Sequence, residues 1–144
     1  MSLLSVKNLR VTFDTEAGLV QAVRGVSFHL GRERLGIVGE SGSGKTMTGR
    51  SVLRLIRPPG KIEADEMTFD GIDLMRASET QMRALRGPRI AMVMQDPKYS
   101  LNPVMRVGAQ LMEGLRQRDR VSKSEAHAKA IQALEAVQIR DPER

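Results

Sequence analysis

Eight consecutive residues, GESGSGKT from Gly39 to Thr46, carry the clearest chemical signal in this sequence. They match the pattern G-x-x-x-x-G-K-[ST], which is typical of loops that bind phosphate groups. Glycines let successive backbone N–H groups turn inward, and they let a phosphate approach without meeting a Cβ atom. A helix that begins at Lys45 adds free N–H donors and the positive end of its dipole. The stretch predicts a cup of main-chain amides for the phosphates of a nucleoside triphosphate.

Two side chains of this loop have chemistry of their own. Lys45 can reach the β- and γ-phosphates, and the Thr46 hydroxyl can ligate Mg²⁺, which prefers hard oxygen donors. The nucleotide-binding residues predicted by the pattern are Gly39, Glu40, Ser41, Gly42, Ser43, Gly44, Lys45 and Thr46.

The elements around the loop follow from local patterns. The apolar residues 35–38 predict a strand, and residues 45–56 predict a helix that stops before Pro58. Further upstream, residues 8–13 and 26–30 alternate apolar and polar side chains, as half-buried strands do. The loop is thus expected between a strand and a helix, as the phosphate-binding pattern requires.

The middle of the chain predicts a hairpin, a short helix and a buried strand. Asp70 and Gly71 form a strong two-residue turn signal within EMTFDGIDL. A capping box from Ser78 to Gln81 predicts a helix that runs to about Leu85. Residues 90–94, IAMVM, are continuously apolar, which is typical of a strand buried on both faces.

The C-terminal third predicts helices only. Val107, Leu111 and Leu115 share one helical face, and Ser122 with Glu125 forms a second capping box. An apolar stripe follows at Ile131, Leu134 and Val137. The order of elements therefore predicts an α/β fold with a helical part that begins near residue 97.

The composition restricts the possible functions less than the phosphate-binding pattern does. The 144 residues include 23 basic and 17 acidic side chains, a net charge of +6, which suits a polyanionic partner and an ordinary basic surface equally well. Aromatic residues make up only 3% of the chain, so stacking on single-stranded nucleic acid has little support. The lack of cysteine excludes disulfides and thiol catalysis.

The sequence resembles the ATP-binding subunits of ABC transporters, in particular the oligopeptide, dipeptide and nickel importers. Three stretches carry the resemblance: AVRGVSFHL before the loop, GIVGESGSGKT itself, and MVMQDPKYSLNPVMRVGAQLMEGL from Met92 to Leu115. The third is the most specific to peptide-type importers. The resemblance covers essentially the whole chain, and it is consistent with the antiparallel β pattern that precedes the loop.

The resemblance implies a fold and a set of cofactors. The expected fold is a P-loop NTPase with a RecA-like core and an antiparallel β subdomain. Residues 1–96 would form the N-terminal part of this core, and residues 97–144 the start of the helical subdomain. The implied cofactors are ATP and Mg²⁺, and the implied family activity is ATP hydrolysis coupled to transport.

The resemblance also implies roles for three residues outside the glycine pattern. Gln95 is the Q-loop glutamine, whose carboxamide can contact Mg²⁺ or the attacking water; with Lys45 it is the expected catalytic pair. Met47 offers its backbone N–H to the nucleotide. Phe13 is a candidate adenine contact, although its position also fits the inward face with Leu9 and Val11. The alternative to an adenine contact is thus that Phe13 is a core residue.

Two further family segments do not occur in these 144 residues. They are an LSGGQ-like segment and a strand that ends in Asp-Glu. The resemblance therefore predicts the N-terminal half of a nucleotide-binding domain. Such a chain is expected to bind nucleotide without turning it over.

The implied partners are membrane permease subunits, a second ATP-binding subunit and, indirectly, a solute-binding protein, at the cytoplasmic face of the cell membrane. No nucleic acid is expected. Two alternatives stay open: an ABC-type ATPase that acts on nucleic acid, and a small P-loop kinase complete in itself. The stretch QDPKYSLNP and the absence of coiled-coil heptads argue against the first, and the lack of identifiable acceptor residues argues against the second.

Overall fold

A computed structural model describes residues 2–95 and 101–143 of the chain. The backbone divides into two units, Met1–Ile90 and Ala91–Arg144. In the described residues, the first unit holds an antiparallel sheet with two helices, and the second holds two helices. The α/β class predicted from the sequence is confirmed.

The first unit begins with a long hairpin. Its elements are β1 (Leu4–Thr15), β2 (Gly18–Leu30), α1 (Lys45–Val52), β3 (Gly60–Glu63), β4 (Glu66–Phe69), β5 (Ile72–Asp73) and α2 (Glu79–Leu85). The second unit contains α3 (Val107–Asp119) and α4 (Lys123–Ala136).

Strand β1 is the centre of the sheet. It pairs with β2 on one side and with both β3 and β4 on the other, and every pairing is antiparallel. The strands predicted at residues 8–13 and 26–30 are confirmed as parts of β1 and β2. The predicted hairpin is also confirmed, because Asp70 and Gly71 have φ values of 48° and 78° and connect β4 directly to β5.

The core of the first unit lies on one face of this sheet. Inward residues of β1 and β4 meet side chains from α1, α2 and the segment before α2. The most deeply buried apolar side chains are Val6, Leu9, Val11, Met67, Leu74 and Met82. Helix α2 is held at its start by the predicted capping box, in which Ser78 and Gln81 exchange hydrogen bonds.

Helix α1 ends four residues earlier than the predicted residue 56. The N–H of Arg54 donates to the Ser51 carbonyl, and the N–H of Leu55 donates to the Arg50 carbonyl. Arg54 itself has a left-handed φ of 51°. This bonding closes the helix end, and the Arg54 guanidinium then donates to the carbonyl of Ala77 at 2.5 Å. A tertiary contact therefore ends the helix before the prolines do.

Two predicted strands are wrong. Residues 35–38 form no ladder, and Val38 is 95% exposed. In residues 90–94 only Ile90 makes a bridge, to Arg86, while Val93 is 92% exposed. A strand that is apolar on both faces belongs in the interior of a parallel sheet, and neither run has a ladder partner within the described residues. The sequence indicates correctly that both runs are apolar, but strand pairing depends on residues that are distant in the sequence.

The second unit is a helical hairpin in its described part. Helices α3 and α4 form where the sequence predicted them, and Ser122 accepts a hydrogen bond from the Glu125 N–H at the start of α4. Asp119 bridges the two helices, because its carboxylate contacts Arg118 at 2.6 Å and Lys129 at 3.7 Å. These cations lower the pKa of Asp119, the hydrogen bond from Arg118 most of all.

One predicted member of the apolar stripe on α4 is wrong. Val137 follows the last helical residue and is 67% exposed, whereas Ala126 and Ala130 are the buried residues of this helix. The predicted boundary near residue 97 stays a prediction, because residues 96–100 lie outside the described part of the chain.

We expect Leu9→Ala to lower the free energy of unfolding by about 3 kcal/mol, because it leaves a cavity in a fully buried position. Leu19→Ala is the matched control in the same hairpin, and it should change stability by less than about 0.5 kcal/mol since Leu19 is 64% exposed. Urea unfolding followed by circular dichroism measures both. Equal effects of the two substitutions would contradict the assignment of the core to this face of β1.

Candidate functional site

The glycine-rich loop forms a tight turn that leads into α1. The N–H of Ser43 donates to the Glu40 carbonyl at 3.2 Å, which closes the turn. Gly42 and Gly44 have φ values of 80° and 93°, a region that residues with a Cβ rarely adopt. Gly44 is the N-cap of α1 and supplies no side-chain cap. The first N–H groups of this helix therefore lack the side-chain partner that most N-caps provide.

The Lys45 ammonium lies over the same loop. Its Nζ donates to the carbonyls of Gly39 at 2.7 Å and Glu40 at 2.6 Å, and to the Ser43 hydroxyl at 3.3 Å. An ammonium has three donors, and here each has an acceptor. The bond to Ser43 is the longest of the three. A positive charge is thereby held beside the main chain at the start of α1.

A contact with strand β2 fixes the position of Gly44. A Cβ atom at Gly44 would overlap the carbonyl oxygen of Ala22 and would approach Val23 Cγ2 at 3.4 Å. Ala22 is an extra residue in β2, since Val23 pairs with Val11 while Gln21 pairs with Thr12. The Ala22 carbonyl at this bulge lies beside the beginning of α1. The sheet and the loop are thus joined backbone to backbone.

The remainder of α1 anchors the loop to the core. Thr48 and Ser51 are buried, and their hydroxyls donate to the carbonyls of Gly44 and Met47, four residues earlier in each case. Met47 is half-buried and packs against the core of the first unit. Thr46 is exposed in the first helical turn. Its hydroxyl is accordingly accessible to a ligand, while the opposite face of α1 holds the helix in place.

The loop residues predicted from the pattern lie together, whereas the two outlying candidates have different surroundings. Phe13 is half-buried, and its ring lies over Gly60, where an added Cβ would be 2.6 Å from Phe13 Cε1. Its adenine contact stays a prediction. Gln95 is exposed and belongs to the second unit, and its Q-loop role likewise stays a prediction.

The contribution of Ala22 is not predicted by the glycine pattern. A signal exists in the alternation of β2, because Val20 and Val23 are three residues apart rather than two or four. Such a break within an alternating strand is typical of a bulge. The glycine pattern explained Gly44 by phosphate approach alone, while the structure shows that Gly44 is also required by the contact with β2.

A turn of glycines that caps a helix, with a lysine folded over it, defines this chain as a P-loop NTPase by class. Residues 23–144 match the family described as ABC transporter. The chain belongs to this family, and the resemblance inferred from its motifs is confirmed.

Several curated relatives are similar over nearly the whole chain. The oligopeptide transport ATP-binding protein OppD of Bacillus subtilis (strain 168) is 48% identical over 144 residues, which is 99% of this chain and 40% of the relative. The dipeptide transport ATP-binding protein DppD of the same organism is 45% identical over 96% of this chain and 42% of the relative. OppD of Escherichia coli (strain K12) is 45% identical over 96% of this chain and 41% of the relative. The chain thus spans about two-fifths of the length of these relatives.

Within residues 2–95 and 101–143, no helix has both the length and the apolar character that a bilayer crossing needs.

We expect Gly44→Ala to disrupt the loop more than Gly42→Ala does. Both glycines have positive φ, so alanine strains the backbone at either position by about 1 kcal/mol. Only at Gly44 does the new Cβ also meet backbone atoms, those of Ala22, whereas nothing lies within 4 Å of it at Gly42. This overlap should add about 2 kcal/mol to the loss in unfolding free energy. Urea titration of both variants tests the difference, and equal losses would contradict the contact with β2.

Proposed function

We propose that this chain is the ATP-binding component of an ABC importer for peptides. The Lys45 ammonium held over the glycine turn carries the proposal, because it places a positive charge beside the main-chain N–H donors at the start of α1. The peptide-transport names of the OppD and DppD relatives support peptides as the transported class. Nucleotide binding here would be coupled to movement of a solute through a membrane permease.

The main chain and the lysine of the loop would make different contacts with a bound triphosphate. The main-chain amides of residues 39–47 would surround the phosphate oxygens, and the Lys45 ammonium would leave its loop acceptors for the β- and γ-phosphates. Each phosphate oxygen is a stronger acceptor for this cation than the Ser43 hydroxyl, because both partners are then charged. The exchange keeps all three ammonium donors satisfied.

Magnesium fits the donors that the loop offers. The Thr46 hydroxyl is an exposed hard oxygen next to Lys45, and Mg²⁺ commonly completes its shell with phosphate oxygens and water. When bound, the ion would neutralise charge on the phosphates. Gln95 is proposed as a further oxygen ligand through its carboxamide, in keeping with its Q-loop role in the family resemblance. Catalysis by such sites depends mostly on electrostatic clamping and on positioning of water.

The partners and location follow from the proposed role. We infer that the chain acts at the cytoplasmic face of the membrane as a peripheral subunit, beside permease subunits and a second ATP-binding subunit. A solute-binding protein would act indirectly, through the permease. The activity proposed for these 144 residues by themselves is nucleotide binding, and the hydrolytic activity of the family is proposed for the assembled transporter.

Binding of Mg-ATP by the chain tests this function. We expect Lys45→Ala to weaken Mg-ATP binding at least tenfold in calorimetric titration, because it removes a charge-assisted contact with the phosphates. Lys61→Ala is the matched control, since Lys61 is an exposed lysine of β3 in the same unit. It should leave the dissociation constant within about twofold. An unchanged affinity in Lys45→Ala, or a wild-type chain that binds no nucleotide, would refute the proposed function.

A further inference from the structure

The C-terminal end of α1 is bound by an arginine from the end of α2. Arg86 follows the last residue of α2, and its guanidinium donates to the carbonyl of Leu53 at 2.7 Å and to the carbonyl of Arg54 at 3.5 Å. Helix α1 has eight residues, so its two ends are only about 12 Å apart. A guanidinium therefore holds one end of the helix whose other end begins with Lys45.

The guanidinium of Arg86 is itself fixed in place. Its Nη1 donates to the carboxylate of Glu79, the first residue of α2, at 2.6 Å, and only 21% of the Arg86 side chain is exposed. This hydrogen bond lowers the pKa of Glu79, which favours the charged carboxylate that holds the arginine. Because a guanidinium is planar and its N–H groups have fixed directions, one rigid group joins both ends of α2 to the end of α1.

A second arginine makes the reciprocal contact. The guanidinium of Arg54 donates to the carbonyls of Leu74 and Ala77, which precede α2. Carbonyls at the C-terminal end of a helix lack intrahelical partners and carry partial negative charge, which the guanidinium of Arg86 complements. The end of α1 is therefore held by hydrogen bonds and by charge, in addition to the contact of Gly44 with β2 at its start.

The position of Lys45 depends on both of these attachments. A helix of about two turns moves as one body, so releasing its C-terminal end lets its first residues move as well. A charge-assisted hydrogen bond to a phosphate oxygen needs a donor about 2.7–2.9 Å away. A displacement of about 1 Å would therefore weaken the contacts that the loop offers to a triphosphate.

We propose that Arg86 is a positioning residue for the phosphate loop. By holding the C-terminal end of α1, it keeps Lys45 and the main-chain donors at the start of the helix where a triphosphate would bind. Its contacts with Leu53 and Arg54 lie at the end opposite the loop, so it acts through the helix and not on the nucleotide. The inference rests on the proposed function, because its main readout is the affinity for nucleotide.

Calorimetric titration of arginine variants with Mg-ATP tests this inference. We expect Arg86→Ala to weaken binding about tenfold and Arg86→Lys about threefold, because an ammonium keeps the charge but cannot span both Glu79 and the Leu53 carbonyl. Arg89→Ala is the matched control, since Arg89 lies three residues further along the chain and its guanidinium pairs with Asp70. It should leave the dissociation constant within about twofold.

A stability control separates positioning from general destabilisation. Val6→Ala removes two methyl groups from a buried position of β1, where Val6 pairs with Phe28 of β2 and Met67 of β4. We expect Val6→Ala to lower the urea midpoint at least as much as Arg86→Ala does, and to leave the dissociation constant of Mg-ATP within about twofold. Circular dichroism verifies that each variant is folded. If Arg86→Ala is unfolded, the comparison is made with Arg86→Lys.

A second measurement needs no nucleotide. In ¹H–¹⁵N spectra of the free chain, we expect Arg86→Lys to shift the amide signals of Lys45 and Thr46 as well as that of Leu53, because the helix moves as one body. Arg89→Ala should leave all three signals in place. A change confined to Leu53 would mean that the contact acts only locally, and it would overturn the inference.

The outcomes separate this inference from the function on which it rests. If both Arg86 variants bind Mg-ATP as the wild type does, or if Val6→Ala weakens binding as much as they do, the positioning role is refuted. Loss of binding in Lys45→Ala would then still support the proposed function. A wild-type chain that binds no Mg-ATP refutes the proposed function, and the amide signals of the free chain then decide whether Arg86 positions the loop.

Discussion

The backbone contact between Gly44 and the bulge at Ala22 is the constraint on which the site depends. It lets the N-cap residue of α1 touch the sheet without an intervening side chain, and it brings the glycine turn against the hairpin of the first unit. Buried hydroxyls of Thr48 and Ser51 then hold the next turns of α1 against the core. A flexible glycine loop is thereby fixed at one end, which lowers the entropic cost of ordering it around a ligand.

The positive charge of Lys45 is hydrogen-bonded within the loop. Its ammonium donates to two carbonyls and a hydroxyl of the loop itself. These bonds support the turn and keep the cation at the place where phosphates would bind. A triphosphate would exchange neutral acceptors for charged ones without creating an unsatisfied donor. The same residue can therefore stabilise the turn of the loop and attract a phosphate ligand.

Much of the fold could be predicted because the deciding interactions are local. The turn at Asp70 and Gly71 and the capping box at Ser78 depend on residues within four positions of each other. The features that were predicted wrongly depend on residues that are distant in the sequence. Residues 35–38 are apolar enough for a buried strand but have no ladder partner in the described chain, and α1 ends early because Arg54 bonds to carbonyls twenty residues or more away. The loop was recognised from its glycines, whereas the bulge at Ala22 depends on strand register, which spacing alone does not determine.

The proposed function requires that main-chain amides at the start of α1 receive the phosphates of a nucleotide. Two-dimensional ¹H–¹⁵N NMR of the labelled chain, titrated with Mg-ATP, observes these amides one by one. We expect the amide signals of Gly42, Gly44, Lys45 and Thr46 to move together and to saturate at a common ligand concentration. Signals of these four amides that stay in place while ATP is added, or that move less than those of exposed residues in β3, would contradict it.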